Sequence, residues 1–201
     1  MDIHDWNERY RLRERPAEDL DATVTPLIVN TATKLALGKA LDLACGAGRN
    51  AIWLAEQGWE VTAVDAAQEA IEILRSRAKD RSLKINMAVA DLEQGQFEIE
   101  SSCWDLIAIC YYLQRNLFKE VKRGVKPGGV LIAIVHMTET GEEAGPHRLL
   151  AGQLEQYFSD WEILHRFEGK PNDSAHRRAV AEIVARRPPC SPSPDHDRRA
   201  R

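Results

Sequence analysis

A glycine-containing segment near residue 46 has the residue types that let a ligand lie close to the backbone. The segment Asp42-Leu43-Ala44-Cys45-Gly46-Ala47-Gly48 ends an apolar run and precedes a helical pattern. Glycine has no Cβ, and the N–H groups at a helix start attract an anion or a carboxylate. Asp65 ends the next β-branched run, where an acidic side chain can accept hydrogen bonds from both ribose hydroxyls. These features predict a site for a cofactor that contains adenosine.

Two classes of cofactor fit this segment. The spacing of Gly46, Gly48 and Ala51 satisfies the G-x-G-x-x-A pattern of dinucleotide-binding folds. Asp42 weighs against a dinucleotide, because its carboxylate would repel a pyrophosphate but would favour a cationic amino-acid group. A long segment also precedes the first predicted strand, and little chain follows the sheet to build a substrate domain. A cofactor with an amino-acid group is favoured, and an NAD(P)-dependent reductase is the alternative.

Strands and helices alternate around this segment. The predicted strands are 40–44, 60–64, 83–89, 104–110, 130–135, 161–167 and 179–185, and the predicted helices are 23–34, 50–57, 68–79, 114–122 and 153–158. Pro127, Gly128 and Gly129 predict a turn before the fifth strand. Helices after the first, second and fourth strands imply parallel βαβ units, that is, an α/β fold with a doubly wound sheet. The last two strands should pair antiparallel, because the loop between them is too short for a crossover helix.

Composition indicates one globular domain. The chain has 201 residues, of which 44% are hydrophobic and 29% are charged. We predict that residues 1–187 form the domain, that residues 1–37 form an N-terminal helical cap with a break at Pro16, and that residues 188–201 are a disordered tail. The formal net charge of −4 argues against nucleic acid as a partner, since affinity for phosphate backbones depends on clustered Lys and Arg.

The cysteines and the apolar runs indicate where in the cell the protein is located. The four cysteines form no C-x-x-C pair, which favours reduced thiols and an intracellular protein. The N-terminus is too polar for a signal peptide, and no apolar run approaches the roughly 18 residues of a membrane helix. We therefore predict a cytoplasmic protein without membrane contact, either a monomer or a weak homodimer. The six histidines lack ligand spacing, so no metal site is predicted.

The motifs resemble those of class I S-adenosylmethionine (SAM)-dependent methyltransferases across most of the chain. The matching segments are Leu41–Gly48, Val64–Asp65, Ala90–Leu92, Trp104–Ile107 and Val125–Gly129. The resemblance implies a Rossmann-like sheet of seven strands in the order 3-2-1-4-5-7-6, with strand 7 antiparallel and helices on both faces. Within this group the chain is similar to small methyltransferases of the tellurite-resistance type, from about Asp5 to Arg187. That similarity depends on Trp6–Tyr10, Cys45–Asn50 and Gln153–Glu162.

The resemblance also implies roles at the cofactor. The cofactor-binding residues that it implies are Tyr10, Asp42, Ala44, Gly46, Gly48, Arg49, Asn50, Asp65, Ala66, Asp91, Leu92, Cys110 and Tyr111. The glycines would lie under the methionyl part, with Asp42 near its ammonium group. Asp65 would hold the ribose, and Asp91 would accept a hydrogen bond from the adenine amino group. Tyr10 would help to close the pocket.

The expected reaction is transfer of the SAM methyl group, which leaves S-adenosylhomocysteine (SAH). Tyr111 and Tyr112 are candidates to stabilise the sulfonium, since an aromatic face within about 6 Å of a cation is attractive; packing alone explains each tyrosine equally well. His136 is a candidate general base if the acceptor must lose a proton, and a structural role is its alternative. The expected acceptor is a small molecule, such as a thiol or a chalcogen oxyanion. A non-catalytic SAM-binding regulatory protein is a further alternative.

Overall fold

One seven-stranded sheet forms the centre of the molecule. The computed structural model describes residues 3–12, 23–139, 141–143, 145–173 and 176–189. The predicted break at Pro16 and most of the predicted disordered tail, residues 190–201, lie outside these ranges. The strands are β1 (Lys39–Leu43), β2 (Glu60–Asp65), β3 (Ile85–Val89), β4 (Trp104–Cys110), β5 (Val125–His136), β6 (Glu162–Gly169) and β7 (Val180–Arg186).

The strand order confirms the predicted topology. The order is β3-β2-β1-β4-β5-β7-β6. The first five strands pair in parallel, and β7 pairs antiparallel with both β5 and β6. Because β7 runs against both of its neighbours, β6 has the same direction as β1 to β5. The carboxyl end of β6 therefore lies at the same edge of the sheet as the carboxyl ends of the first five strands.

Helices cover both faces of the sheet. They are α1 (Ile3–Arg11), α2 (Pro26–Ala32), α3 (Arg49–Glu56), α4 (Gln68–Asp80), α5 (Leu117–Gly124) and α6 (Gln153–Tyr157). Apolar residues of α2, α3 and α4 pack on one face, and those of α5 and α6 pack on the other. Alternation along β1 divides the strand between the two faces: Leu41 and Leu43 belong to the α5 side, and Ala40 belongs to the α3 side. The predicted α/β, doubly wound fold is confirmed.

The predicted turn at Pro127-Gly128-Gly129 is wrong. These residues do not form a turn before the fifth strand but lie inside β5, which begins at Val125. The N–H of Gly128 donates to the carbonyl of Arg187, and the N–H of Arg187 donates to the carbonyl of Gly129, both at 2.9 Å. Pairing with the chain after β7 thus extends the strand through residues that favour turns. The partner register with β4 shifts between Trp104 and Leu106 at this place.

Helix boundaries differ from the predictions by a few residues. The predicted helix at 23–34 begins at Pro26, where the fixed φ of proline suits the first helical position. The predicted helix at 114–122 begins at Leu117. Within the described ranges, no helix combines the length and the hydropathy that crossing a bilayer requires.

The core on the α5 side gives a test of the packing. Phe118 is 2% exposed and lies 5.5 Å, ring centre to ring centre, from Phe158. Phe118→Ala should lower the free energy of unfolding by about 3–5 kcal/mol, since it removes a full aromatic ring from a closed core. Phe167→Ala is the matched control because Phe167 is 39% exposed, and it should cost less than about 1 kcal/mol. Urea denaturation measures both, and equal losses would contradict the core assignment.

Candidate cofactor-binding and active site

A cavity of about 540 Å³ opens at the carboxyl ends of β1, β2 and β4. It lies where the strand order changes direction between β1 and β4, the place where open α/β sheets bind ligands. Its volume is in the range of small-molecule and cofactor sites. The predicted cofactor residues that line it are Tyr10, Ala44, Gly46, Arg49, Asn50, Asp65, Ala66, Asp91, Leu92, Cys110 and Tyr111. One cavity thus brings together residues from α1, three strand ends and the segment after β3.

The loop from residue 44 to residue 48, here called the glycine loop, joins β1 to α3. It has positive φ angles at Ala44 (53°) and Gly46 (55°). Its shape is held from both sides: the N–H of Cys45 donates to the carbonyl of Val64 at 3.0 Å, and Arg77 of α4 donates to the carbonyl of Ala47 at 3.0 Å. The loop is therefore a rigid floor for the cavity.

Asp65 connects the glycine loop to the end of β2. Its Oδ2 accepts a hydrogen bond from the N–H of Gly46 at 2.7 Å, and its Oδ1 accepts one from the N–H of Ala67 at 2.9 Å. A carboxylate has about four acceptor positions on its two oxygens. Asp65 thus orders the loop from the end of β2, and it also lines the cavity.

Helix α1 covers the glycine loop. Ile3, His4, Trp6 and Tyr10 all line the cavity. A Cβ on Gly46 would lie 2.5 Å from the hydroxyl of Tyr10, so the tyrosine lies directly over the glycine. The side chain of Asn7 fixes this helix by accepting a hydrogen bond from the N–H of Glu69, at the start of α4, at 3.0 Å.

Two of the predicted cofactor residues, Asp42 and Gly48, do not line the cavity. Gly48 has a φ of 79° and packs against α4, where a Cβ would lie 2.2 Å from a methyl group of Leu74. Its role is helix packing rather than ligand approach. Asp42 lies beneath the loop, 1% exposed, and accepts a hydrogen bond from the N–H of Ala51. Its Oδ2 has no hydrogen-bond partner among the described residues.

Burial controls the protonation of Asp42. Desolvation, opposed by the hydrogen bond from Ala51 and increased by the charge of Asp65, raises the pKa of Asp42 from 3.8 to about 7. The group therefore changes charge near neutral pH, whereas an exposed aspartate is ionised there.

The segment after β3 forms the second acidic side of the cavity. Asp91 Oδ1 accepts hydrogen bonds from the N–H groups of Glu93, at 2.8 Å, and Gln94, at 3.3 Å. The carbonyl of Leu92 accepts a hydrogen bond from Gln114 at 3.1 Å. These bonds fix a turn whose residues 90–93 all line the cavity.

Tyr111, Tyr112 and His176 form the opposite side, here called the aromatic wall. The rings of Tyr111 and His176 stack with their centres 3.3 Å apart and their planes at 8°. The hydroxyl of Tyr112 donates to Gln114 Oε1 at 2.8 Å. Burial is the first cause that raises the pKa of both tyrosines above the ordinary value, so both hydroxyls are neutral at physiological pH.

His136, the other catalytic candidate, lies behind this wall. It does not line the cavity, and its ring centre is 5.6 Å from the ring centres of both Tyr111 and His176. Burial, together with the charges of Arg178 and Arg148, lowers the pKa of His136 below its usual value. Its Nδ1 is buried and has no hydrogen-bond partner among the described residues.

The sequence predictions missed His176, which belongs to the aromatic wall, and Asp173, which is hydrogen-bonded to Tyr111 of that wall. Both lie in the loop between β6 and β7, which has no apolar periodicity to mark it. The predicted topology could have indicated them. Because the seventh strand is antiparallel to its neighbours, the loop that precedes it lies at the carboxyl edge of the sheet, where the cavity is. Within the described ranges, no three His, Cys, Asp or Glu side chains are grouped so that they could hold a metal ion.

Comparison with known sequences identifies relatives of this architecture. Residues 40–129 match the family model described as a methyltransferase domain. The putative methyltransferase YqeM of Bacillus subtilis is 33% identical over 134 residues, which are 62% of this chain and 53% of YqeM. The probable SAM-dependent methyltransferase TehB of Haemophilus influenzae is 26% identical over 145 residues, which are 68% of this chain and 50% of TehB.

Comparison with solved structures shows the same fold. The crystal structure of Haemophilus influenzae TehB superimposes with a TM-score of 0.71 at 24% identity, covering 82% of this chain and 62% of that chain. The central part of the chain, residues 40–129, is thus similar to methyltransferase domains. The [4+2]-cyclase SpnF also has this fold, with a TM-score of 0.67 at 19% identity over 85% of this chain and 81% of that chain. The chain spans about half the length of the curated relatives it matches.

Gly46 allows a test of the contact between α1 and the glycine loop. Gly46→Ala should destabilise the fold by the strain of an alanine at positive φ, about 1–2 kcal/mol, plus the cost of moving Tyr10. Gly95→Ala is the matched control, since Gly95 has a φ of 65° and open space around the new Cβ. Chemical denaturation should show a larger loss for Gly46→Ala. Equal losses would show that Tyr10 does not press on the loop.

Asp42 gives the fold a pH-dependent stability. The folded pKa of about 7 lies above the usual 3.8, so the folded state binds more protons between these values. Stability should therefore fall as the pH rises from about 4 to about 7, by a few kcal/mol, and stay level above that. Asp42→Asn removes this component. Urea denaturation from pH 4.5 to pH 8 measures the free energy of unfolding of both proteins. A difference between parent and variant that stays constant over this range would contradict the assignment.

Proposed function

We propose that the chain transfers a methyl group from SAM to a small-molecule acceptor, leaving SAH. One observation carries this proposal: the glycine loop, Asp65, Asp91 and the aromatic wall border a single cavity at the switch point of the sheet. The match to the methyltransferase family model and the similarity to YqeM and TehB support it.

The donor groups of the cavity suit the parts of SAM. Asp65 and the acidic turn at Asp91 offer acceptors to ribose hydroxyls and to an adenine amino group. The Ala44 carbonyl and the Gly46 backbone border the space for the amino-acid part, with Arg49 and Asn50 at the start of α3 beside it. The acidic groups of the cavity, Asp65 and Asp91, favour a ligand with a net positive charge, and Asp42 beneath the loop adds to this attraction in its ionised form.

The chain's own contribution to the reaction is alignment and exclusion of water. SAM supplies the activated methyl group on a sulfonium when it is bound. Helix α1 closes the cavity over the glycine loop, and the face of Tyr111 provides a surface that attracts a cation. Holding the acceptor in line with the methyl group accounts for up to about 7–11 kcal/mol of rate enhancement in well-oriented reactions. Tyr111 is a stronger catalytic candidate than His136, since only Tyr111 lines the cavity.

We propose an acceptor with a soft nucleophilic atom, such as a thiol or a chalcogen oxyanion. This choice depends on the resemblance to methyltransferases of the tellurite-resistance type. The moderate volume of the cavity and the net charge of −4 favour a small acceptor over nucleic acid. A cytoplasmic location and a monomeric or weakly dimeric state stay predictions from the sequence.

The fold alone does not require methyl transfer, because SpnF has the same architecture and is described as a cyclase. A SAM-binding regulatory protein and an NAD(P)-dependent reductase are therefore the functions that an experiment must distinguish. Cofactor binding separates the reductase from the other two, and turnover separates the enzyme from the regulator.

Thermal unfolding with SAM, SAH, NAD+ and NADPH in turn tests the cofactor. A ligand at 100 times its Kd stabilises a protein by about 2.7 kcal/mol, and we expect a shift of Tm with SAM and SAH only. Asp65→Asn should weaken SAH binding because it removes a charged acceptor and loosens the glycine loop. Asp80→Asn, on the exposed end of α4, is the matched control and should bind as the parent does. A shift with a dinucleotide alone would overturn the proposal.

Release of SAH in the presence of tellurite, selenite and 2-mercaptoethanol tests the acceptor class. We expect SAH to accumulate with at least one of these compounds, and liquid chromatography measures it directly. Binding of SAM without turnover of any acceptor in a broad small-molecule screen would favour the regulatory protein.

A further inference from the structure

The carboxylate of Asp173 joins a distant loop to two sides of the cavity. Asp173 lies between β6 and β7, yet it is only 7% exposed. Its Oδ2 accepts hydrogen bonds from Arg49 Nη2 and from the hydroxyl of Tyr111, each at 2.8 Å. Arg49 begins α3 beside the glycine loop, and Tyr111 directly follows β4. One oxygen atom thus links three segments that are far apart in the sequence.

The loop crosses part of the sheet to make these contacts. Strands β7 and β5 lie between β6 and β4, and neighbouring strands are about 4.8 Å apart. A loop that only joined β6 to β7 could stay at the outer edge of the sheet. A buried charge is strongly unfavourable without a partner, so the contact between Asp173 and Arg49 holds the loop in its position over the carboxyl ends of the inner strands.

The same loop places His176 on the cavity wall. The N–H of His176 donates to the carbonyl of Asp173 at 3.0 Å, which joins the two residues directly. Three residues after the buried carboxylate, the His176 ring therefore lies flat on Tyr111. Arg49 completes the arrangement, because its guanidinium carbon lies 5.5 Å from the centre of the Tyr111 ring. The position of both stacked rings depends on where Asp173 is held.

The backbone of Tyr111 also needs external support. Its φ is 63°, a left-handed conformation that is unfavourable for a bulky side chain. Two hydrogen bonds fix the residue: its N–H donates to the carbonyl of Ile134 at 2.6 Å, and its hydroxyl donates to Asp173. Strained backbone persists only where its surroundings determine it. Asp173 therefore holds the side chain of Tyr111, while the carbonyl of Ile134 holds its backbone.

We propose that Asp173 is a positioning residue for methyl transfer, a role that rests on the proposed function. Asp173 does not line the cavity. It acts through Tyr111 and His176, whose rings it fixes on the aromatic wall, and it leaves cofactor binding to the glycine loop and Asp65. Loss of its carboxylate should therefore disturb the acceptor step much more than the affinity for SAH, which has no sulfonium charge for Arg49 to repel.

Proton NMR of the ligand-free protein tests the positioning directly. Stacking on Tyr111 shifts the His176 ring protons upfield, and Asp173→Asn should return them toward the positions of an exposed histidine. His176→Gln identifies these resonances. Asp160→Asn is the matched control, since Asp160 pairs with Lys122 at the exposed surface, away from the cavity; it should leave the His176 signals unchanged. Retained upfield shifts in Asp173→Asn would overturn the proposal.

Kinetics test the consequence for the reaction. With whichever of tellurite, selenite or 2-mercaptoethanol the parent methylates, Asp173→Asn should raise the KM of the acceptor or lower kcat by roughly ten- to hundredfold. The Kd of SAH, measured by calorimetry, should change by less than about threefold. A loss of SAH affinity as large as the loss of turnover would assign Asp173 to the cofactor site instead and overturn the proposal.

Tyr111→Phe covers the case in which Asp173→Asn does not fold. It removes the hydroxyl that binds Asp173 but keeps the ion pair with Arg49. Its turnover should fall in the same direction with the Kd of SAH preserved, and unchanged turnover would count against the proposal. A parent that fails to bind SAH would defeat the proposed function, and the NMR comparison would still decide whether Asp173 positions His176.

Discussion

The parallel pairing of β1 with β2 on one side and β4 on the other determines where the site can lie. Leu43 pairs with Val64 of β2 and with Ile109 of β4, so three strands end at the same level. The helices that follow β1 and β2 pack on one face of the sheet, and the helix that follows β4 packs on the other. The connections therefore diverge and leave a crevice above β1 and β4. The glycine loop, Asp65 and the two tyrosines of the aromatic wall are all attached to these three strand ends.

Two residues beside the crevice have a strained backbone. Ala44 directly follows β1 with a φ of 53°, and Tyr111 directly follows β4 with a φ of 63°. Neither residue has the freedom of glycine, so neighbouring groups must hold both. Asp65 fastens the glycine loop from β2, and Asp173 fastens Tyr111 from the loop after β6. The buried apolar clusters on both faces of the sheet supply the free energy that makes this strain tolerable.

The periodic spacing of apolar residues predicts the strands and helices, but it does not predict the contacts of single residues outside that pattern. Buried strands and amphipathic helices follow directly from the spacing of apolar residues, which predicted the α/β class and the antiparallel last pair of strands. The strand order and the cofactor-binding residues came from the resemblance to class I methyltransferases, and most of those residues line the cavity. The side on which a single residue packs depends on tertiary contacts. Gly48 belongs to the glycine motif, but it faces Leu74 rather than the cavity. Asp173 has no local signal because its partners, Arg49 and Tyr111, lie on other elements.

The distribution of charge explains why a buried ion pair lies beside the site proposed for a cationic cofactor. Acidic residues border one side of the cavity, at Asp65 and Asp91, and they would attract the sulfonium of that cofactor. Arg49 borders the same cavity, and its charge would oppose such a ligand at short range. Asp173 neutralises that charge at 2.8 Å while keeping the guanidinium near the ring of Tyr111. The contact that positions the aromatic wall therefore also removes a repulsion, so one buried carboxylate makes the cavity both ordered and receptive to a cation.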